Sequence, residues 1–392
     1  MKIYLALTDD WELRGNGSGD IEKIQFSPMR KLIDMYERYD LRCTFNVEVM
    51  QQLTFRKLQL QHPELRQLAD QWDQHVTDAF QRGHDIQLHV HPQWSNAQYR
   101  ANQWTLNGKW TLPDYEPSEV YEMLSDCKQY LERLLRQVDP KYSCVAFRAG
   151  SSCIAPSKFA LHHLASLGIA FDTSIVGGLR VNTKHVKFDY TNCEESFLPF
   201  YPQMDDARRV SSKVEPIVCV PIFQFTLSRR TALRNVARKG LSKVKKRGSN
   251  NSSDWIEEGR SSSIARVYDK AIHPVLSGKN VVGDLSQLDS AAFHEMLGAI
   301  RDRANKTGLR ALPILLTNHT KYISDFSHTE SFIRHATQAP DIEFITLREV
   351  ADKLRSGEFA IKLYGHAAVP ADQLHQEILR AAISDRLSAD RP

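Results

Sequence analysis

Short apolar, β-branched runs alternate with longer amphipathic stretches along most of this chain. Strands are predicted over 2–8, 42–47, 85–90, 143–148, 169–173, 217–225, 311–317 and 342–346, where apolar runs are bounded by polar or turn residues. Helical periodicity predicts helices between them at about 27–38, 64–81, 117–136, 157–167, 287–306, 328–337, 347–355 and 371–387. Pro117-Ser118 and Pro156-Ser157 each suit a helix start. Alternation of this kind argues for βα units around a parallel sheet or barrel. Trp104–Leu112 reads as a small inserted hairpin turning at Asn107-Gly108.

Polar side chains collect where several of these apolar runs stop. Asp9-Asp10 follows the first run, with Trp11 and Glu12 directly after; His89-Val90-His91 closes the third run before Pro92. Arg148 closes the fourth, Asp172 the fifth, and His319 follows Leu312–Leu316. Parallel strand ends gather their side chains on one face of a barrel or sheet. Period-two spacing puts His89 and His91 on one face of their strand, a chelating arrangement. Two carboxylates, a His-x-His pair and a distant histidine are the parts of metal-assisted hydrolysis. Each also has a plainer reading: Asp9-Asp10 as turn or cap residues, Asp172 as a helix cap, and Arg148 as a salt bridge whose natural partner is Asp9. His84, five residues before His89, falls on the other face and reads as an outer partner of the site. Glu12 is a reserve ligand or an outer partner. Trp11 and Trp94 serve either as sugar-stacking platforms or as core.

Composition narrows this picture without redirecting it. With 392 residues, 42% apolar and 25% charged, the chain can bury a large core in one domain or two. A formal charge of +4 gives no reason to expect a nucleic-acid partner, and no apolar stretch is long enough to span a bilayer. The six cysteines are scattered without CxxC spacing and read as reduced thiols. With an apolar run and two aspartates at the start in place of a leader, the expected compartment is the cytoplasm. Arg229–Arg247 departs from the pattern, with nine Lys or Arg and no acid. It reads either as a solvated helix or as a basic amphipathic helix for anionic lipid headgroups, diphosphate carriers or acidic glycans. The oligomeric state is not legible.

These clusters, in this order, resemble the polysaccharide deacetylase family, the carbohydrate esterases with the NodB homology domain. Thr8-Asp9-Asp10 is similar to its first motif, Gly83–His89 to its second, and Phe147-Arg148-Ala149-Gly150 to its third. Phe171-Asp172-Thr173-Ser174 loosely resembles the fourth and Leu316-Thr317-Asn318-His319 the fifth. The likeness spans roughly 1–355 and implies a distorted (β/α)7 barrel with inserted loops, including a basic insertion at about 203–285. Residues 356–392 then form a C-terminal helical extension. The resemblance implies Asp9 as general base, Asp10 and His89 as metal ligands, Arg148 orienting Asp9, and His319 as general acid. The family places its second histidine ligand four residues after the first, where this chain has Gln93, so His91 must take that place. The aromatic tail of the third motif is absent.

The resulting expectation is a zinc-dependent hydrolase that removes an acetyl group from an N-acetylated sugar. A nucleotide- or lipid-linked glycan in surface polysaccharide or lipopolysaccharide assembly is the expected substrate. His84, Trp94, Asp172 and Glu12 would touch substrate or support the ligands. Three rivals stand beside it: a hydrolase of small amides or cyclic ureides, a non-haem iron oxygenase, and a non-catalytic carbohydrate-binding protein with a decayed site.

Overall fold

The computed structural model describes residues 1–232, 234, 279–323, 325–366 and 368–370. Strand β1 (Lys2–Trp11) runs through the middle of the molecule, and Ile3, Leu5, Ala6 and Leu7 are fully buried. It is joined by β2 (Thr44–Glu48), β3 (Asp85–Val90), β4 (Ala146–Ala149), β5 (Phe171–Asp172), β6 (Val218–Cys219), β7 (Ala311–Leu316) and β8 (Ile342–Ile345). The strands are parallel and lie in the order β6-β5-β4-β3-β2-β1-β7, with β8 also on β1. Lys2–Leu7 pairs with β7, and Ile3–Ala6 with β8 as well, while Thr8–Trp11 pairs with β2. An isolated bridge from Ile222 to Leu315 joins the two ends of this row, with the Phe223 amide donating to the Leu315 carbonyl at 2.9 Å. The row thereby curls into a distorted seven-stranded barrel.

Helices cover the outside, as the right-handed βα crossover demands. They are α1 (Ser27–Glu37), α2 (Val49–Leu58), α3 (Pro63–Gln81), α4 (Pro117–Leu135), α5 (Ala160–Ser166), α6 (Ser290–Thr307), α7 (Ser327–Ala336) and α8 (Leu347–Arg355). Local chemistry sets their ends. Glu116 and Glu119 form a capping box behind Pro117, and Thr346 and Glu349 form another at α8. Gly308, at φ 69°, stops α6 in the left-handed conformation that glycine adopts without strain.

Helix α2 was not expected. Its sequence is too polar for a clear stripe, and its start is set by Glu48, whose Oε1 accepts from the Met50 and Gln51 amides at 2.9 and 3.3 Å. The inserted hairpin exists but lies earlier than predicted, pairing Gln98–Arg100 with Gln103–Thr105. It turns at Ala101-Asn102, both at positive φ, and not at Asn107-Gly108. Asn107 instead donates to Ser95 and Tyr115 and ties the following loop down.

Within 203–285 the described part is only partly insertion. It contains a hairpin (Pro202–Gln203 with Asp206–Val210), barrel strand β6, and a ribbon pairing Gln224–Leu227 with Lys279–Val282. Most of the basic stretch 229–247 and the predicted helix at 371–387 lie outside the described residues. Beyond α8 the described chain ends in a short antiparallel pairing of Ala360–Ile361 with Val369–Pro370. No helix among the described residues is long and apolar enough to cross a membrane.

Candidate metal centre

The C-terminal strand ends bring Asp10, Glu12, His89, His91, Arg148 and His319 together. Alternation along β1 decides which carboxylates take part, because Thr8, Asp10 and Glu12 share one face while Asp9 and Trp11 share the other. Glu12 Oε2 lies 2.5 Å from His91 Nε2 and 3.7 Å from His89 Nε2, and the two imidazole nitrogens are 3.1 Å apart. Ligand atoms of Glu12, His89 and His91 all fall within 4.8 Å of one another, as do those of Asp10, Glu12 and His319. The carboxylate that closes on the histidine pair is therefore Glu12, where Asp10 was expected.

Asp10 is held by Arg148, whose Nη1 donates to Oδ1 at 2.6 Å, and by Asn46 Nδ2 at 3.1 Å. Arg148, fully buried, also reaches Thr317 Oγ1 and Thr173 Oγ1, and its Nη2 has no partner among the described residues. The predicted Arg148–Asp9 pair does not form. Asp9 instead takes a hydrogen bond from Asn318 on one oxygen, the other having no hydrogen-bond partner among the described residues, and it faces the side of Tyr36 and Cys43, whose ionisation it opposes.

Electrostatics separates the two aspartates. Burial, with Asp10 adding repulsion, pushes Asp9 up to about 7. Burial acts on Asp10 too, but Arg148, His89 and His319 outweigh it and hold it at about 2. Burial would lower His89, yet Asp10, Glu12 and Glu48 prevail and raise it to about 9. The pocket's carboxylates thus draw positive charge onto His89, which is the demand a divalent cation meets.

The donor set fits such a cation. His89 Nδ1 donates to the Arg148 carbonyl at 2.9 Å, which leaves Nε2 as the lone-pair nitrogen facing Glu12 and His91. Gln93 contacts His91 Nδ1 at 2.9 Å through its amide, and its Oε1 has no partner among the described residues. The Gln93 Nε2 that makes this contact also donates to the Gly15 carbonyl at 3.1 Å, which fixes the amide and seats Gln93 beside the His91 ring. Gly150 is needed beneath the ring, because a Cβ there would stand 2.8 Å from His91 Cγ and Nδ1 and 2.9 Å from the Val90 carbonyl.

Three further residues touch this cluster and were not expected there. Asp284 accepts from His319 Nδ1 at 3.0 Å, and its charge outweighs burial to raise His319 above the ordinary imidazole range. A signal was present in Val281-Val282-Gly283-Asp284, another apolar run ending in a carboxylate, but it fell inside the range read as insertion. Lys321 Nζ lies 2.5 Å from Glu12 Oε1. Glu48 is fully buried and pairs in register with His89, and its Oε2 has no partner among the described residues.

Other expected residues stand elsewhere. His84 precedes β3 at the opposite end of the barrel, accepting from the Cys43 amide at 3.3 Å, and burial lowers it to about 4. It does not support the ligands. Asp172 accepts from the Ser174 amide and hydroxyl at 2.9 and 2.6 Å, fixing the turn that carries Ser174 to the Ala149 amide. Trp94 is 3% exposed and packs edge-on against Phe55 and Trp104. Trp11 is core, between Phe26 and Trp72.

No family model matches this chain, and no curated protein does. Among solved structures, a candidate glycoside hydrolase/deacetylase from Parabacteroides distasonis is similar with a TM-score of 0.51 at 11% identity, covering 91% of this chain and 72% of that one. An α-amylase from Thermotoga maritima gives 0.47 at 10% identity, over 95% and 77% of the two chains. A candidate polysaccharide deacetylase from Mycobacterium smegmatis gives 0.46 at 12% identity, over 93% and 94%. Identities this low speak to architecture and not to chemistry. Strand order, barrel closure and the first of these likenesses agree that the chain has the fold of a distorted (β/α)7 barrel of the NodB, or polysaccharide deacetylase, type.

Proposed function

We propose that this protein is a metal-dependent hydrolase that cleaves a carbon–nitrogen bond in an N-acylated sugar, releasing the acyl group. The observation that carries this reading is the convergence of Glu12, His89 and His91 within 4.8 Å, beside Asp10 and His319. These three residues would hold the cation, with zinc first among candidates because the donors are nitrogen and oxygen and hydrolysis needs no redox change. When bound, a divalent metal lowers the pKa of its water from about 15.7 toward about 7 and polarises a carbonyl.

The chain's own groups do the rest. Asp10, kept ionised and aimed by Arg148, receives the proton of the attacking water. Asp9 stands on the wrong face for this, and geometry ranks ahead of pKa in choosing a base. His319, held protonated by Asp284 and 3.5 Å from Asp10, donates to the departing amine. An acetyl group on a nucleotide- or lipid-linked glycan of surface polysaccharide or lipopolysaccharide assembly, handled in the cytoplasm, is the substrate and setting we favour. The basic stretch 229–247 would supply contact with an anionic membrane surface or with the carrier.

Acetate release from a panel of N-acetylated sugars, by wild type and Glu12→Ala alongside elemental analysis, tests the reading. One metal per chain and turnover, both lost in the variant, are expected. A second reading is favoured by one observation, the Lys321–Glu12 pair, which supplies a cation of the chain's own. In that case acetate is released by metal-free protein and chelators have no effect.

A further inference from the structure

Lys321 takes no part in the proton transfers above, yet its ammonium rests on the carboxylate that gathers the histidines. Glu12 divides its oxygens between two kinds of partner. Oε2 faces His91 and His89 at 2.5 and 3.7 Å, while Oε1 lies 2.5 Å from Lys321 Nζ. The short turn Thr320–Tyr322 carries the lysine there, directly after His319, with the Lys321 and Glu12 side chains only 8% and 5% exposed. The Tyr322 ring, 5.2 Å from Nζ, offers its face to the same charge. An ion pair this far from water persists only as a pair, because either partner alone would be an uncompensated buried charge.

We propose that Lys321 is the resident counter-cation of the site: its ammonium holds the Glu12 carboxylate in place, occupies Oε1, and weakens the binding of a divalent cation. This deepens the metal reading given above and rests on it. Two effects oppose each other. A hydrogen bond to a ligating carboxylate orients it, and loss of such an outer partner typically costs about 10–100-fold in metal affinity. Against this, the ammonium and a doubly charged cation repel across a single carboxylate in a buried site, where low dielectric strengthens the repulsion. Without Lys321, Glu12 would also offer both oxygens. The repulsion joins a charge of one unit to a charge of two at close quarters, so it outweighs the loss of orientation.

The test is zinc binding by equilibrium dialysis and calorimetry on the full chain, comparing wild type with Lys321→Met and Lys321→Gln. Thermal melts of the metal-free forms accompany it. Both variants should bind zinc at least tenfold more tightly, melt below wild type without metal, and regain the difference when zinc is added. Zinc binding by the variants alone, with none by wild type, is the extreme form of the same result. Equal or weaker affinity in a variant that melts cooperatively overturns the proposal while leaving the metal reading standing. Absence of zinc from wild type and variants alike overturns both. Should the Met form not fold, the Gln form, which keeps a hydrogen-bond donor, carries the comparison.

Discussion

Neighbouring residues in this site have opposite assignments, and Asp9 and Asp10 show it most sharply. Asp9 titrates near 7 because burial and repulsion from Asp10 outweigh attraction to His319, whereas its unfolded value is 3.8. A raised carboxylate binds its proton more tightly in the folded state, so stability falls as pH rises from about 4 to about 7. At about 1.36 kcal/mol per unit, the effect is on the order of 4 kcal/mol. Asp9→Asn should flatten that fall in denaturant melts between pH 4 and 8 and leave zinc content unchanged. Asp10→Asn should abolish turnover, and full activity in it would remove the base assigned here. Asp284→Asn concerns the acid instead. It takes away the charge that raises His319, so activity should fall off at lower pH than in wild type as the imidazole deprotonates. The stabilisation that His319 gains from Asp284 is fully present below about pH 6.5 and fades as pH rises through the higher folded value. A pH–rate profile and a parallel stability profile check both statements.

Elements were more legible than the residues they carry. β3 falls on its predicted span, and α4 and α8 fall within a residue or on theirs, since apolar periodicity and proline or capping-box starts mark them plainly. Helix α2 was hidden because its beginning depends on a Glu48 side chain reaching two amides, a tertiary fact written weakly in sequence. The hairpin turn was misplaced for a similar reason: Asn107-Gly108 has turn chemistry, but its asparagine is spent on Ser95 and Tyr115. The geometry of the cluster was half legible. Period-two spacing does place His89 and His91 side by side, and the same period on β1 puts Asp10 and Glu12 together, which the family resemblance obscured by favouring Asp9-Asp10. Asp284 was only faintly legible, as a carboxylate closing an apolar run, because barrel closure alone brings it to His319. At this scale the α8 cap is the clean test. Thr346→Ala should cost about 0.5–2 kcal/mol in denaturant unfolding, with zinc stoichiometry and turnover per folded molecule unchanged.

In the whole molecule, two polar assemblies sit at opposite ends of one barrel. At the strand starts, Asp85 accepts from Thr44 and from the Arg348 amide, and Thr44 accepts from the Leu347 amide, so the first turn of α8 plugs that end. At the other end the candidate metal centre gathers Glu12, His89 and His91 from the ends of β1 and β3, with neighbours from β4, from the end of β7 and from the segment before α6. A cation bound there favours the folded state by mass action, about 2.7 kcal/mol at one hundred times its dissociation constant. Zinc titrated into metal-free protein should therefore raise the melting temperature steadily, and chelation should reverse the rise. A melt indifferent to zinc, iron and manganese would speak for the lysine-filled site.

The double pairing of β1 also has a consequence during synthesis. The residues that carry Asp10 and Glu12 leave the ribosome well before β7 and β8, which flank the same strand and lie some three hundred residues later. Contacts across such separations form slowly, and strands awaiting partners are prone to aggregate. Until Ala311–Ile345 emerges, β1 has open edges and its buried-to-be carboxylates have no His319, Lys321 or Asp284 beside them. On the proposed metal reading, the nascent chain therefore has no finished site to fill until β7 and β8 have paired with β1.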